Sequence, residues 1–141
     1  MLHIIKLCVG ISSVDELARY RANRCIRVTG LEGEFHVHRT RMRPRRRDEI
    51  VGKGSLYWVI KGAVRCRQKI VALNSETDDE GKTCCDIIML PELIRTVPNP
   101  KRAFQGWRYL PQKDAPEDLD MRGDQQNDAD LAAELAALGL I

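Results

Sequence analysis

No apolar run in this sequence approaches the roughly 20 residues that a membrane-spanning helix needs, so no membrane partner is expected. It has no C-x-x-C and no His-x-x-x-His, the spacings that turn metal ligands towards one point. There is no G-x-S-x-G nucleophile turn. There is no phosphate loop, because Gly52-Lys53-Gly54 is too short and no Gly-Lys-Ser/Thr follows it. Nothing here is a catalytic signature, and neither cofactor nor metal is expected. Aromatic residues are scarce, at 5%. The cysteines are few and odd in number: Cys8, Cys25, Cys66, Cys84 and Cys85, two of them adjacent. The opening MLHIIKLCVG lacks a charged leader, and Lys6 interrupts its apolar run, so it reads as a first strand and not an export signal. Unpaired thiols without an export signal predict a reducing, cytoplasmic setting.

What is present is charge, unevenly spread. The net +3 conceals a segment from Asp114 onward with eight acids and one base, at −7, and a body of residues 1–113 at +10. A basic body with an acidic tail suggests an anionic partner. The expected organisation is one globular domain over 1–113, an acidic linker over 114–127 and a short tail helix over 128–141. In that helix Leu131, Leu135 and Leu138 form a stripe suited to docking on a protein partner.

Residues 3–10 read as a buried strand. Ser12 or Ser13 offers an N-cap to a helix from about Val14 to Cys25, with Val14, Leu17, Ala18, Ala22 and Cys25 on its apolar face. Phe35 to Met42 reads as a second strand whose alternation passes from Phe35 and Val37 to Arg39 and Arg41. Ser55 to Ile60 is the best central strand. Lys61-Gly62 is a tight turn, and Ala63 to Leu73 alternates as its hairpin partner. Asn74 to Lys82 reads as an acidic loop, Cys84 to Leu90 as another strand, and Thr96 to Pro100 as a proline-punctuated connection. The pattern predicts an α+β fold: a small mixed or antiparallel barrel, or a curled sheet, with one or two packed helices.

At KLCVG (6–10), GSLYWVIKG (54–62), Arg67-Gln68 and FQGWRYL (104–110), the chain resembles a DUF1489-like family of small proteins found mainly in alphaproteobacteria. The resemblance covers roughly residues 2–118 and implies no activity and no catalytic residues. Other members carry a longer, more charged segment between the first helix and the second strand, which implies that this segment is not essential to the fold. More coarsely, the element order is similar to PUA- and ASCH-type barrels, which implies a binder of RNA or nucleotide-like ligands.

The strongest functional signal is a run of arginines. Arg39, Arg41, Arg43, Arg45, Arg46 and Arg47 lie within nine positions without an acid among them. Guanidinium forks match phosphate oxygens, and alternate strand residues repeat at roughly 6.6 Å, near the spacing of phosphates on an extended strand. Arg65, Arg67 and Lys69 form a second comb of the same period. Trp107 and Arg108 would add stacking and one more fork. The bland alternative is a solvated face paired with Asp48, Glu49, Asp78, Asp79 and Glu80. His36 and His38 share a strand face and, with Cys84 and Cys85, could ligate a metal, but adjacent cysteines on a strand point apart. Cys66 falls on the apolar face, opposite its neighbouring arginines, where a thiol is inert.

The leading expectation is therefore a nucleic-acid or nucleotide-phosphate binder. A second is a small enzyme on an anionic substrate, with Lys61, Asp48 or Glu49 set beside the arginines. A third is a protein-interaction module working through the leucine stripe.

Overall fold

The computed structural model describes residues 1–119. Within them run β1 (Leu2–Leu7), α1 (Val14–Arg21), β2 (His36–Thr40), β3 (Ser55–Ile60), β4 (Ala63–Thr77), β5 (Thr83–Met89), β6 (Ile94–Pro100) and β7 (Trp107–Pro111). Single 3-10 turns sit at Arg47–Glu49 and Gln112–Asp114. The strands form one sheet in the order β2-β5-β4-β3-β1-β7, with β6 added along β4. Only the β1–β3 pair is parallel among the described strands. This is the expected α+β curled sheet, left unclosed between β2 and β7.

The curl originates in β4. Arg65 and Val71 each stand unpaired where the register shifts, opposite Trp58/Val59 on β3 and between Ile70 and Ala72 against β5. Such bulges bend and coil a strand. The first half of β4 therefore pairs with β3 and β6, and the second half with β5. Inside the curl lies the main core, with Ile4, Leu17, Ile50, Leu56, Trp58, Ile60, Ile70, Ile87 and Met89. Outside it, Ile5, Tyr57, Val59, Val64 and Leu110 form a second cluster covered by Phe104 and Ala115. β3 thus has apolar neighbours on both faces, which is why its sequence is apolar throughout.

A buried polar triad pins the interior. Trp58 Nε1–H donates to Gln68 Oε1 at 3.0 Å. The Gln68 amide donates to the Leu90 carbonyl at 3.0 Å and faces His36 Nδ1 at 2.9 Å. Burial holds the His36 imidazole below its ordinary pKa, and the Gln68 amide suits the tautomer that accepts at Nδ1. Gly54 marks a close approach, since a Cβ there would stand 2.0 Å from the Leu2 carbonyl oxygen. Lys61 and Gly62 both have positive φ (49° and 74°), as the expected tight hairpin turn requires.

The open edges of the curl are joined by side chains, not by a ladder. Trp107 Nε1–H on β7 donates to the Met42 carbonyl at 2.7 Å, just beyond β2. Tyr109 Oη accepts the N–H groups of Arg45 and Arg46 at 2.9 and 3.2 Å.

Several boundaries differ from the sequence reading. α1 stops at Arg21, and its buried face is Val14, Leu17 and Arg21, while Ala18 and Ala22 are exposed. Ser13 is the cap, its Oγ accepting from Glu16 N–H at 3.0 Å. β4 runs on to Thr77 because β5 pairs with it that far. Asp78 Oδ1 then turns the chain by accepting from Glu80 and Lys82. Thr96 to Pro100 belongs to a strand and not to a connection, since prolines are tolerated on an edge strand such as β6. Residues 114–119, expected in the linker, pack on the outer face. Asp118 bridges to Thr96, Val97 N–H donates to the Glu117 carbonyl, and Leu119 is buried. The rest of the linker and the leucine stripe lie outside the described residues.

Candidate functional site at the mouth of the curl

The arginine run is largely committed to partners within the protein. Arg39 forks onto Asp86, with Nε and Nη2 at 2.7 and 3.0 Å from its two oxygens. Arg46 forks onto Glu49 in the same way at 2.6 and 2.8 Å. Arg41 meets Asp78 at 3.0 Å. Arg43 donates to Ser75 Oγ and Arg47 to the Leu73 carbonyl. Arg41, Arg43 and Arg45 border a surface hollow of about 430 Å³ with Ser75, Thr83 and Cys84.

The second comb breaks up. Arg65 is the bulge residue, and it is buried, donating to the carbonyls of Ile60 and Lys61 and so holding its own hairpin turn. Arg67 forks onto Asp118 at 2.9 and 2.7 Å while its Nη1 donates to Ser55 Oγ at 2.8 Å. Lys69 is exposed beside it, and both border a cavity of about 380 Å³ with His3, Lys53 and Tyr57. The two combs therefore line different hollows.

Trp107 is half-buried and spends its N–H on Met42, packed edge-on against Tyr109 at 4.9 Å. Arg108 lies over Phe104. Glu49 stands beside the arginines, gripped by Arg46, while Lys61 lies at the other end of β3. Among the described residues, no three His, Cys, Asp or Glu side chains come together to hold a metal.

A different site emerges from the inward-facing residues. In register, Lys6 stands opposite Trp58 on one side and Trp107 on the other, so it faces the interior. His38, opposite Ile87, faces the same interior and packs edge-on against Trp58 at 5.2 Å. Arg21, only 8% exposed, reaches in from α1 with its guanidinium 5.8 Å from the Trp58 ring. These groups, with Cys8, Ile11, Leu17 and Tyr20, line a cavity of about 700 Å³ between α1, the end of β1 and the curl.

Its electrostatics are unusual for a position so well covered. Burial, then the positive charges of Lys6 and Arg21, hold the His38 imidazole down at about 4. Arg21 is itself lowered, chiefly by burial. Arg21 Nη1 donates to the Val37 carbonyl at 3.4 Å, but its buried Nε has no partner, and neither has the buried Nε2 of His38. An unsatisfied buried polar group costs about 1–3 kcal/mol. Cys8 is no nucleophile here, since burial pushes its thiol up to about 11. Cys66, pushed up to about 12, is inert as expected.

Lys6, Arg21 and Trp58 do not stand out as binding residues from sequence, and His38 stands out there only as a metal-ligand candidate beside His36. Two signals point to them. Lys6 interrupts an apolar strand, and Arg21 follows Val14 by seven and Leu17 by four, the spacing of the buried face.

Fold and site together define a curled-sheet α+β protein with a cationic, partly apolar mouth. The chain matches the family described as protein of unknown function (DUF1489) over residues 4–141, and it belongs to that family. No curated protein and no solved structure matches it, so the likeness to PUA-type barrels has no structural neighbour to rest on.

Proposed function

We propose that this protein binds a small organic anion in the mouth of its curled sheet. The observation that carries the reading is the convergence of Lys6, Arg21 and His38 on one cavity, with two buried nitrogens lacking partners. Buried polar groups are almost always hydrogen-bonded, and concave sites with few, convergent polar groups on apolar walls are where ligands bind. An anion there offsets the repulsion between Lys6 and Arg21, and a shift of the two side chains that opens their covered nitrogens lets it satisfy both orphans. The raised Cys8 thiol offers no thiolate, which favours binding over nucleophilic catalysis.

The test is an NMR titration of the His38 ring against nucleoside monophosphates, aromatic carboxylates and acyl carboxylates. A bound anion raises the His38 pKa from about 4 towards its ordinary value, and Arg21→Gln abolishes the response. If no member of the panel moves the His38 resonance at millimolar concentration, the reading is overturned.

Nucleic-acid binding remains as a second, narrower reading, supported by Arg43 and Arg45. Both are exposed beside the 430 Å³ hollow, and neither pairs with a carboxylate among the described residues. Fluorescence anisotropy with single-stranded RNA, single-stranded DNA and duplex DNA at several salt concentrations tests it. Two phosphate contacts predict a salt slope of about −1.5 to −2 that flattens in Arg43→Ala/Arg45→Ala. No binding at low salt ends it.

A further inference from the structure

Three arginines of this protein show how it holds a carboxylate. Arg39, Arg46 and Arg67 each present the Nε/Nη2 edge of the guanidinium, and each grips both oxygens of Asp86, Glu49 or Asp118. Arg67 adds a second feature, because its Nη1 is tied to Ser55 Oγ, which fixes the plane of the fork. Arg21 repeats this arrangement with one member missing. Its Nη1 is tied to the Val37 carbonyl, the group is more than nine-tenths buried, and the Nε of the gripping edge has no partner. Glu16 borders the same cavity but makes no ion pair with Arg21.

We infer that the Nε/Nη2 edge of Arg21 takes the planar carboxylate of an organic acid whose apolar body lies along the rim of the mouth. The inference rests on the mouth being the anion site. The rim fits an apolar body, since Val9, Ile11 and Tyr20 border the cavity, with Val9 81% and Tyr20 51% exposed. Lys6 supplies a second positive charge, and the neutral His38 supplies a hydrogen-bonding nitrogen without a charge. A guanidinium fork also grips two oxygens of a phosphate, so the choice of a carboxylate rests on the three carboxylate forks that Arg39, Arg46 and Arg67 already make.

The experiment is isothermal titration of the full chain with four probes: 3-phenylpropanoate, octanoate, 3-phenylpropanamide and phenylphosphonate. The same titrations are run on Arg21→Lys and Arg21→Gln, each checked for folding by its thermal melt. Both carboxylates bind, the amide and the phosphonate bind at least tenfold more weakly, and Arg21→Lys loses at least tenfold for the carboxylates. The acid–amide comparison uses the unaltered protein, so misfolding of a variant cannot mask it. If phenylphosphonate binds as tightly as the carboxylates and all depend on Arg21, the carboxylate assignment falls while the anion site stands. If the carboxylates bind equally well to Arg21→Gln, or if none binds, the assignment falls. In that case the His38 titration against the wider panel decides whether the mouth takes anions at all.

Discussion

Acid should unfold this protein by way of its histidines, before Glu49 and Asp78 titrate. Burial is the largest cause lowering the pKa of His3, His36 and His38 alike. Two of them are also fixed as acceptors. Ser55 N–H donates to His3 Nδ1 and the Gln68 amide faces His36 Nδ1, so a proton added there meets a donor. Because the folded values lie below the unfolded value of 6.5, the unfolded chain binds more protons as pH falls below about 7. Stability is therefore full above that point and is lost on acidification. Each such proton is worth about 1.4 kcal/mol per pH unit. For His38, lowered from 6.5 to about 4, the loss is about 2 kcal/mol at pH 5 and about 3 kcal/mol at pH 4, and it is complete about a pH unit lower. His3 and His36 add to it in the same direction. A domain of this size has about 5–15 kcal/mol in all. The shifted carboxylates, Glu49 and Asp78, are held below 4.5 and 3.8 and titrate later. Urea unfolding followed by tryptophan fluorescence at pH 7.5, 6.5, 5.5 and 4.8 gives the slope. His38→Gln should make it shallower by one proton. Stability that is flat from pH 7 to pH 5, or a slope that His38→Gln leaves unchanged, would refute the reasoning.

Other perturbations probe the scaffold. Gly54→Ala drives a methyl group into the Leu2 carbonyl and should cost about 1–3 kcal/mol in chemical denaturation. Gln68→Leu strands the Trp58 N–H and the Leu90 carbonyl together, and a loss of about 2–4 kcal/mol should appear in the same assay. Asp118→Ala frees the half-covered Arg67 fork and should lower stability by about 1–2 kcal/mol, an effect that shrinks as salt is raised. Truncation after Lys113 removes that pair together with the buried Leu119, so its melting temperature should fall below that of Asp118→Ala.

Much of the sheet was legible because alternation and turn chemistry are local. The apolar run Ser55–Ile60 and the Lys61-Gly62 turn appear as read, and Cys66 faces the core as its position required, but bulges at Arg65 and Val71 break the alternation of the strand after the turn and put Val64 and Cys66 on opposite faces. The misplacements share one cause, which is that pairing partners are remote. β6 is a strand because β4 lies beside it, and in the acidic stretch after it Ala115 packs on the outer cluster while Asp118 is held by Arg67 and by its bridge to Thr96. The bulge at Arg65 moved one arginine of a regular comb into the protein, and no local pattern announces a bulge. The arginine run was visible, and so were Glu49 and Asp78 as partners that would neutralise it, but Asp86, which grips Arg39, comes from β5, 47 residues away, and was not. The mouth was hidden for the opposite reason. Its charged residues are single and scattered, and they form a site only when β1, α1 and β2 are assembled.

The pairing of β1 with β7 also has a consequence in time. Leu2 lies against Pro111 and His3 against Leu110, so β1 waits for β7 before its outer edge is covered. Contacts so distant along the chain slow folding, and during synthesis β1 and β3 can pair while that edge stays bare. Until residues 107–111 leave the ribosome, the exposed edge of β1 is a template for another chain, and chaperone demand during translation should peak in that interval.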